Sequence, residues 1–420
     1  MELGHLADHF DGVAAKVLSR VETVGHGSHQ HELAGTRAFR ELFGAPAGSV
    51  PLSTRFIWAT DETDEPVVEE GTLTYYDARA ANPHRGAEFR LYYPAHVEAM
   101  KNAQPGDVVF IARQKDGSVL LIVAPSGSSV AAQLDWLFGT DALERHEYSV
   151  RSNLNENRDE LGLPALYLLD MLGIVVEPII EPAGESWLEQ LINKFGSKFP
   201  PTAEFGAFAR STLPDLDARE DPDGVLMAWL EREELLFRTL EHHLVTDTLN
   251  AIYIRGQVDV DQFVAESLRI HNRRKSRAGK SLEHHLIAIF NALEIRHSFD
   301  KATENDVRPD FIFPSIEDYH DPAVPASQLT VLGAKTTCKD RWRQVLSEAE
   351  RIGQKHLLTL ESPISLGQTK EMQTQKLQLV IPKPLHSPYK QEQQSWLMDV
   401  AAFTELAKAR DQHGPSSNIF

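Results

Sequence analysis

The chain has 420 residues, 42% hydrophobic and 25% charged, which is ordinary for a globular protein but too long for one ordinary core, so two domains are expected. Apolar runs stay short of the about 18 residues a membrane helix needs, which excludes a helical span. The net charge of −19 excludes a uniformly basic nucleic-acid binder, so any DNA contact has to rest on local clusters of Lys and Arg.

Met1-Glu2-Leu3-Gly4-His5 lacks the basic-then-apolar pattern of a signal peptide. The single cysteine, Cys338, rules out an intramolecular disulfide framework, and a reducing, cytoplasmic setting is expected. The first part reads as β-rich, with strand-like runs at Ser53–Ala59, Glu70–Tyr76, Glu88–Tyr93, Val108–Ala112 and Val119–Val123. Pro105-Gly106-Asp107 and Lys115-Asp116-Gly117-Ser118 separate them as turns, and the spacing predicts a small or open β-barrel with one or two helices. Glu181-Pro182-Ala183-Gly184-Glu185 reads as a linker, which puts one domain at 1–180 and a second at 186–420. Leu213–Gly224 reads as an exposed loop of the second.

Helical spacing follows through Leu226, Trp229, Leu230, Leu235, Leu236 and Leu240, through Phe263, Leu268 and Ile270, and through Leu282, Leu286, Ile289, Phe290 and Leu293. Strands are predicted at Asp310–Phe313, Leu329–Thr336, His356–Leu360 and Leu377–Ile381, with helices at Arg341–Ile352 and Leu366–Thr374 between them. That order predicts an α/β domain with a mixed central sheet flanked by helices. The tail Asp411–Phe420 is polar and reads as frayed.

Positive charge concentrates at Arg273-Arg274-Lys275-Ser276-Arg277-Ala278-Gly279-Lys280 and again at Lys335, Lys339, Arg341 and Arg343. Arg308-Pro309-Asp310 followed by Ala334-Lys335 matches a PD…(D/E)xK arrangement, in which carboxylate oxygens hold a hard cation and an ammonium adds charge beside it. Gly333 stands where that motif has its second acid, and Glu348, on the following helix, is its expected replacement. Glu283 joins as a carboxylate that orients water or a second metal. The pair alone is weak, since chance produces many such pairs. Ala278-Gly279-Lys280-Ser281 is not a P-loop, because Arg274 stands where the first glycine belongs; phosphate contact or a helix N-terminus near DNA fits better. His26, His29 and His31 read as a loop rather than a metal site. His242, His243, His284 and His285 lack HExxH spacing and read as helix-surface residues, Cys338 as structural and Trp342 as core.

Asn272–Glu283, Pro309–Ser315 and Lys335–Gln344 closely resemble, in order and spacing, the corresponding segments of the EcoRII-like type IIE restriction endonucleases. The likeness is dense over Phe263–Ile381 and thinner at Gly27–Gln30 and Thr74–Arg79. It implies a multidomain protein, with an N-terminal B3-type, β-barrel-like DNA-binding domain and a C-terminal restriction-endonuclease-like PD-(D/E)xK domain. It also implies Mg²⁺-dependent cleavage of double-stranded DNA at a CC–GG-type (CCWGG- or CCNGG-like) site. Glu283, Asp310, Lys335 and Glu348 would form the catalytic centre, with Mg²⁺ on Asp310 and Glu348, and Lys339, Asp340 and Arg341 would read C·G pairs. Arg273, Arg274, Lys275, Arg277 and Lys280 are the candidate backbone contacts. His29, Gln30, Tyr76, Arg79, Arg85 and Arg90 are the candidate contacts to an activating second DNA copy. A homodimer and a companion DNA methyltransferase are implied as partners. The rival readings are a modification-dependent nuclease and a DNA-binding regulator without catalysis.

Overall fold

The computed structural model describes residues 4–23, 31–63, 65–82, 84–176, 183–254 and 257–412. The chain forms two compact units, one of residues 2–176 with 362–369, the other of residues 177–361 with 370–420.

The first unit is built on eight strands: β1 (Phe10–Val17), β2 (Glu32–Ala34), β3 (Val50–Trp58), β4 (Val67–Asp77), β5 (Phe89–Tyr92), β6 (Val108–Gln114), β7 (Val119–Ala124) and β8 (Ser149–Arg151). They pair in the order β2-β5-β4-β3-β7-β6-β1-β8, antiparallel throughout except for the parallel pair β3 and β7. Among the described residues the ladder ends at β2 and β8, so these pairings describe an open sheet, with edge strands of only three residues each. β7 lies between two strands and buries all six of its residues, which its unbroken apolar sequence requires. Leu73, Tyr75, Leu91, Ile111, Leu121 and Val123 meet Phe39 and Leu42 in the core. These last two belong to α2 (Thr36–Phe43), which follows α1 (Leu6–His9) and precedes α3 (Glu98–Asn102), α4 (Ser129–Phe138) and α5 (Leu163–Met171). The sequence reading misses β1, β2 and β8; β1 buries six of its eight residues without the alternation that marks a half-buried strand. Ser362–Thr369 is held in this unit by the Ser365 amide on Ser129 Oγ (2.9 Å) and by Gln368 Nε2 on Asp61 (2.8 Å).

The second unit opens with α6 (Ala183–Phe195), α7 (Thr202–Ser211) and α8 (Pro222–Ile252). A two-stranded hairpin, β9 (Tyr253–Ile254) and β10 (Gln257–Val258), leads into α9 (Val260–Ala292). Ion pairs Glu241–Arg274 and Glu233–Arg277 show that α8 and α9 run antiparallel, since one number falls as the other rises. The sheet follows: β11 (Ser298–Phe299), β12 (Phe311–Phe313), β13 (Thr330–Lys335), β14 (Lys355–Thr359) and β15 (Leu377–Val380), paired in chain order. β11, β12 and β13 are antiparallel neighbours, whereas β13, β14 and β15 are parallel, the mixed sheet expected. α10 (Ile316–His320), α11 (Trp342–Leu346), α12 (Leu366–Thr374), α13 (Gln391–Gln394) and α14 (Val400–Gln412) complete the order. Phe290 of α9 packs edge-on against Phe311 and Phe313, so the apolar stripe read from the sequence is the face that meets the sheet.

Several expectations are corrected. Of the expected linker, residues 181 and 182 lie outside the described residues, and Ala183 already begins α6. The supposed exposed loop ends at Pro222, a proline in the first turn of α8, and its Asp223 is buried, accepting hydrogen bonds from the amides of Lys383, Val400 and Ala401. The helix expected at Arg341–Ile352 is one turn long. Ser347 and Glu348 close it with i→i−3 bonds, Ala349 turns left-handed at φ 49°, and the Lys355 ammonium takes the Ala349 carbonyl. Asp411 is not frayed but helical, held by Arg296. Among the described residues, no helix is long and apolar enough to cross a membrane.

Candidate active site

Asp310 immediately precedes β12 and Lys335 ends β13; the two strands are antiparallel neighbours with Phe311 opposite Leu332. That register brings the Lys335 ammonium 2.8 Å from Asp310 Oδ2, which also accepts the Ala334 amide at 2.6 Å. The carboxylate is therefore aimed along the strand end by one backbone and one side-chain donor. Glu283 reaches the same place from α9, and Glu348 from the turn after α11 rather than from a helix. Burial, then the charge of Asp310, pushes both carboxyls up to about 7, opposed by Lys335. Glu348 Oε2 is buried without a hydrogen-bond partner. Three carboxyl groups lie in the field of one ammonium, and the donors that suit a divalent cation are two, Asp310 and the orphaned buried oxygen of Glu348. Among the described residues, no cluster of three or more His, Cys, Asp or Glu side chains has metal-holding geometry.

The missing second acid of the motif has a steric reason. A Cβ on Gly333 would stand 2.8 Å from Val345 Cγ2 and 3.5 Å from Leu357 Cδ1. α11 packs onto β13 too closely for any side chain there, and Glu348 supplies a carboxyl from the turn beyond.

Lys339–Arg341 forms a single 3₁₀ turn after β13, entered through a left-handed Lys339 at φ 38°. Lys339 is buried, and the Arg341 guanidinium folds back onto the Thr337 carbonyl (2.7 Å) and hydroxyl. Trp342 is fully buried, and Cys338 is buried and forms no disulfide.

The basic string divides by helical period. It lies in the interior of α9, so no helix N-terminus exists there. Arg277 faces inward, paired with Glu233 and stacked 4.3 Å from the Phe205 ring and 4.4 Å from Phe237; it is not available to a phosphate. Arg274 bonds Glu241 at 2.7 Å and Arg273 lies 4.0 Å over Phe199, both half-buried. Lys275 and Lys280 point outward. His285, read as a surface residue, is instead fully buried. Its Nε2 stands 2.9 Å from Glu233 Oε2 and its Nδ1 is 3.1 Å from Arg210 Nη1, while burial holds its pKa down. Sequence reasoning misses Glu233 altogether, since one Glu among many on a helix carries no signal of its burial.

In the first unit, Tyr76 and Arg90 are cross-strand partners on β4 and β5, and both bond Glu32. Arg90 and Arg79 also bond Glu88. Arg79, Arg85 and Arg90 line a pocket of about 350 Å³ with Asn82 and Glu88. The structure thus gathers Tyr76, Arg79, Arg85 and Arg90, while His29 and Gln30 lie outside the described residues.

The chain is 41% identical over 207 residues to the type II restriction enzyme EcoRII of Escherichia coli, covering 49% of this chain and 50% of that one. The chain therefore spans about half the length of the curated relative it matches. Among solved structures, metal-depleted Ecl18kI in complex with uncleaved, modified DNA aligns at 17% identity and a TM-score of 0.45, over 55% of this chain and 85% of that one. A PspGI–substrate DNA complex aligns at 15% identity and 0.42, over 51% and 94%. The UbaLAI B3 domain with cognate DNA aligns at 19% and 0.20, over 33% and 86%. Residues 237–404, which hold Glu283, Asp310, Lys335 and Glu348, match the family model of the EcoRII C-terminal domain.

Proposed function

We propose that the chain is a type II site-specific endonuclease that hydrolyses phosphodiester bonds of double-stranded DNA at a short CC–GG-type site. The observation that carries the reading is the Lys335–Asp310 pair at 2.8 Å, with Glu283 and Glu348 in its field, inside the segment related to EcoRII. Asp310 and Glu348 would hold Mg²⁺, which when bound supplies charge neutralisation at the scissile phosphate. Lys335, released from Asp310 as DNA enters, donates to the phosphate and positions the attacking water. Glu283, raised to about 7, is matched to accepting a proton near neutral pH. Lys339, Asp340 and Arg341 read C·G pairs, for which Arg341 exchanges its Thr337 contacts for a guanine edge. Lys275 and Lys280 are the outward members of the basic string and track the phosphate backbone, with Arg273 and Arg274 behind them. The first unit is a B3-type domain that binds a further DNA copy through the Tyr76, Arg79, Arg85 and Arg90 cluster and relieves autoinhibition. The working form is a cytoplasmic homodimer accompanied by a DNA methyltransferase.

The test is incubation with Mg²⁺ and two plasmids, one carrying several CC–GG-type sites and one carrying none. Discrete fragments from the first alone support the reading, and Lys335→Ala should abolish them while specific binding persists. Full cleavage by Lys335→Ala refutes the assignment of the centre. No cleavage of unmethylated or methylated DNA points instead to a DNA-binding protein.

A further inference from the structure

Glu361 lies two residues past the end of β14, beside the end of β13, and is buried at 9% exposure. One of its oxygens, Oε2, accepts the backbone amides of both Cys338 and Lys339, the latter at 3.0 Å. Those amides open the turn that presents Lys339, Asp340 and Arg341. The turn needs such a hold. Lys339 sits at φ 38°, a left-handed conformation that a lysine adopts only when its surroundings impose it. Two further bonds tie the same stretch: Thr359 Oγ1 donates to the Thr336 carbonyl at 3.3 Å, and the Glu361 amide donates to Thr359 Oγ1 at 3.2 Å. The Tyr389 hydroxyl fixes Glu361 in turn by donating to its carbonyl at 3.0 Å. A carboxylate acceptor shared by two amides in a buried site makes stronger bonds than a neutral one.

We infer that Glu361 is a specificity-positioning residue: its carboxylate clamps the Cys338 and Lys339 amides and so sets the register in which Lys339–Arg341 meets base edges. This rests on the reading of Lys339–Arg341 as the base-reading element. Both clamped amides belong to the turn that carries Lys339–Arg341, so the clamp bears on which DNA is cut.

The experiment uses the full chain and two duplexes: the site defined by its own fragments, and that site with one C·G pair changed. Wild type, Glu361→Gln, Glu361→Asp and Arg341→Ala are compared by KM and kcat on each. Glu361→Gln should lower the discrimination ratio about tenfold through KM on the correct site, with kcat there within about threefold of wild type. Glu361→Asp, which draws the charge one methylene back from the amides, should show the same loss to a smaller degree. It carries the test alone if the Gln variant does not fold. An unchanged ratio in the folded variants, or a fall in kcat equal on both duplexes, overturns the inference. If Arg341→Ala also leaves the ratio unchanged, the recognition reading itself falls and the inference with it. If Arg341→Ala loses discrimination and the Glu361 variants keep it, the inference alone falls.

Discussion

The buried ion cluster between α8 and α9 offers a sharp test of what holds the second unit together. Glu233 is 1% exposed and faces Arg277 and the fully buried His285. Glu233→Leu would leave the Arg277 cation, enclosed by Phe205 and Phe237, without the Glu233 carboxylate. Removing one partner of a buried pair costs about 3–5 kcal/mol, because the remaining charge has already lost its water. For a unit of this size that corresponds to a fall in melting temperature of about 6–20 °C. The double variant Glu233→Leu/Arg277→Met should recover most of the loss, since no charge is then stranded. The assay is thermal melting of the full chain followed by near-ultraviolet circular dichroism. The Trp229 ring lies 5.8 Å from the His285 ring and so reports on the cluster. A fall of less than about 2 °C for Glu233→Leu, or a double variant as unstable as the single one, would refute the reasoning.

Gly333→Glu restores the acid of the simple motif but drives a Cβ to 2.8 Å from Val345; it should cost about 1–3 kcal/mol, most of it returned by Val345→Ala. Denaturant titration of the single and double variants checks this. His356 is fully buried and its pKa is held down at about 4, chiefly by burial and then by the charge of Arg410. The unfolded chain therefore binds the extra proton first, so stability is full above about pH 6.5 and falls between there and pH 4, by at most about 3 kcal/mol. His356→Leu should flatten that slope in melts taken across the range. Lys280→Ala should reduce the salt slope of DNA binding by about one, whereas Arg277→Met should leave the slope unchanged and lower the melting temperature. A salt slope that changes with Arg277→Met counts against its inward placement.

Local patterns in the amino-acid sequence were enough for much of this protein. The apolar stripe Leu282, Leu286, Ile289 and Phe290 determines a helix face by period alone, and it is the face buried on the sheet. β7 declares itself by six consecutive apolar residues, and Asp310 with Lys335 by residue type and order. Whatever depends on chain segments meeting at a distance was decided only by tertiary structure. Arg277 and Lys280 read alike in the basic string; their difference is the Glu233 carboxylate and two phenyl rings on other helices. His285 looked like a surface histidine for the same reason. α11 stops after one turn because Lys355 and a left-handed Ala349 redirect the chain, so Glu348 comes from a turn that helical spacing could not foresee. Glu361 carries no motif, and its hold on Cys338 and Lys339 arises from the parallel pairing of β13 with β14. Periodicity and residue chemistry are properties of neighbours in the chain, whereas burial of a charge and the partner that compensates it are properties of the packed fold.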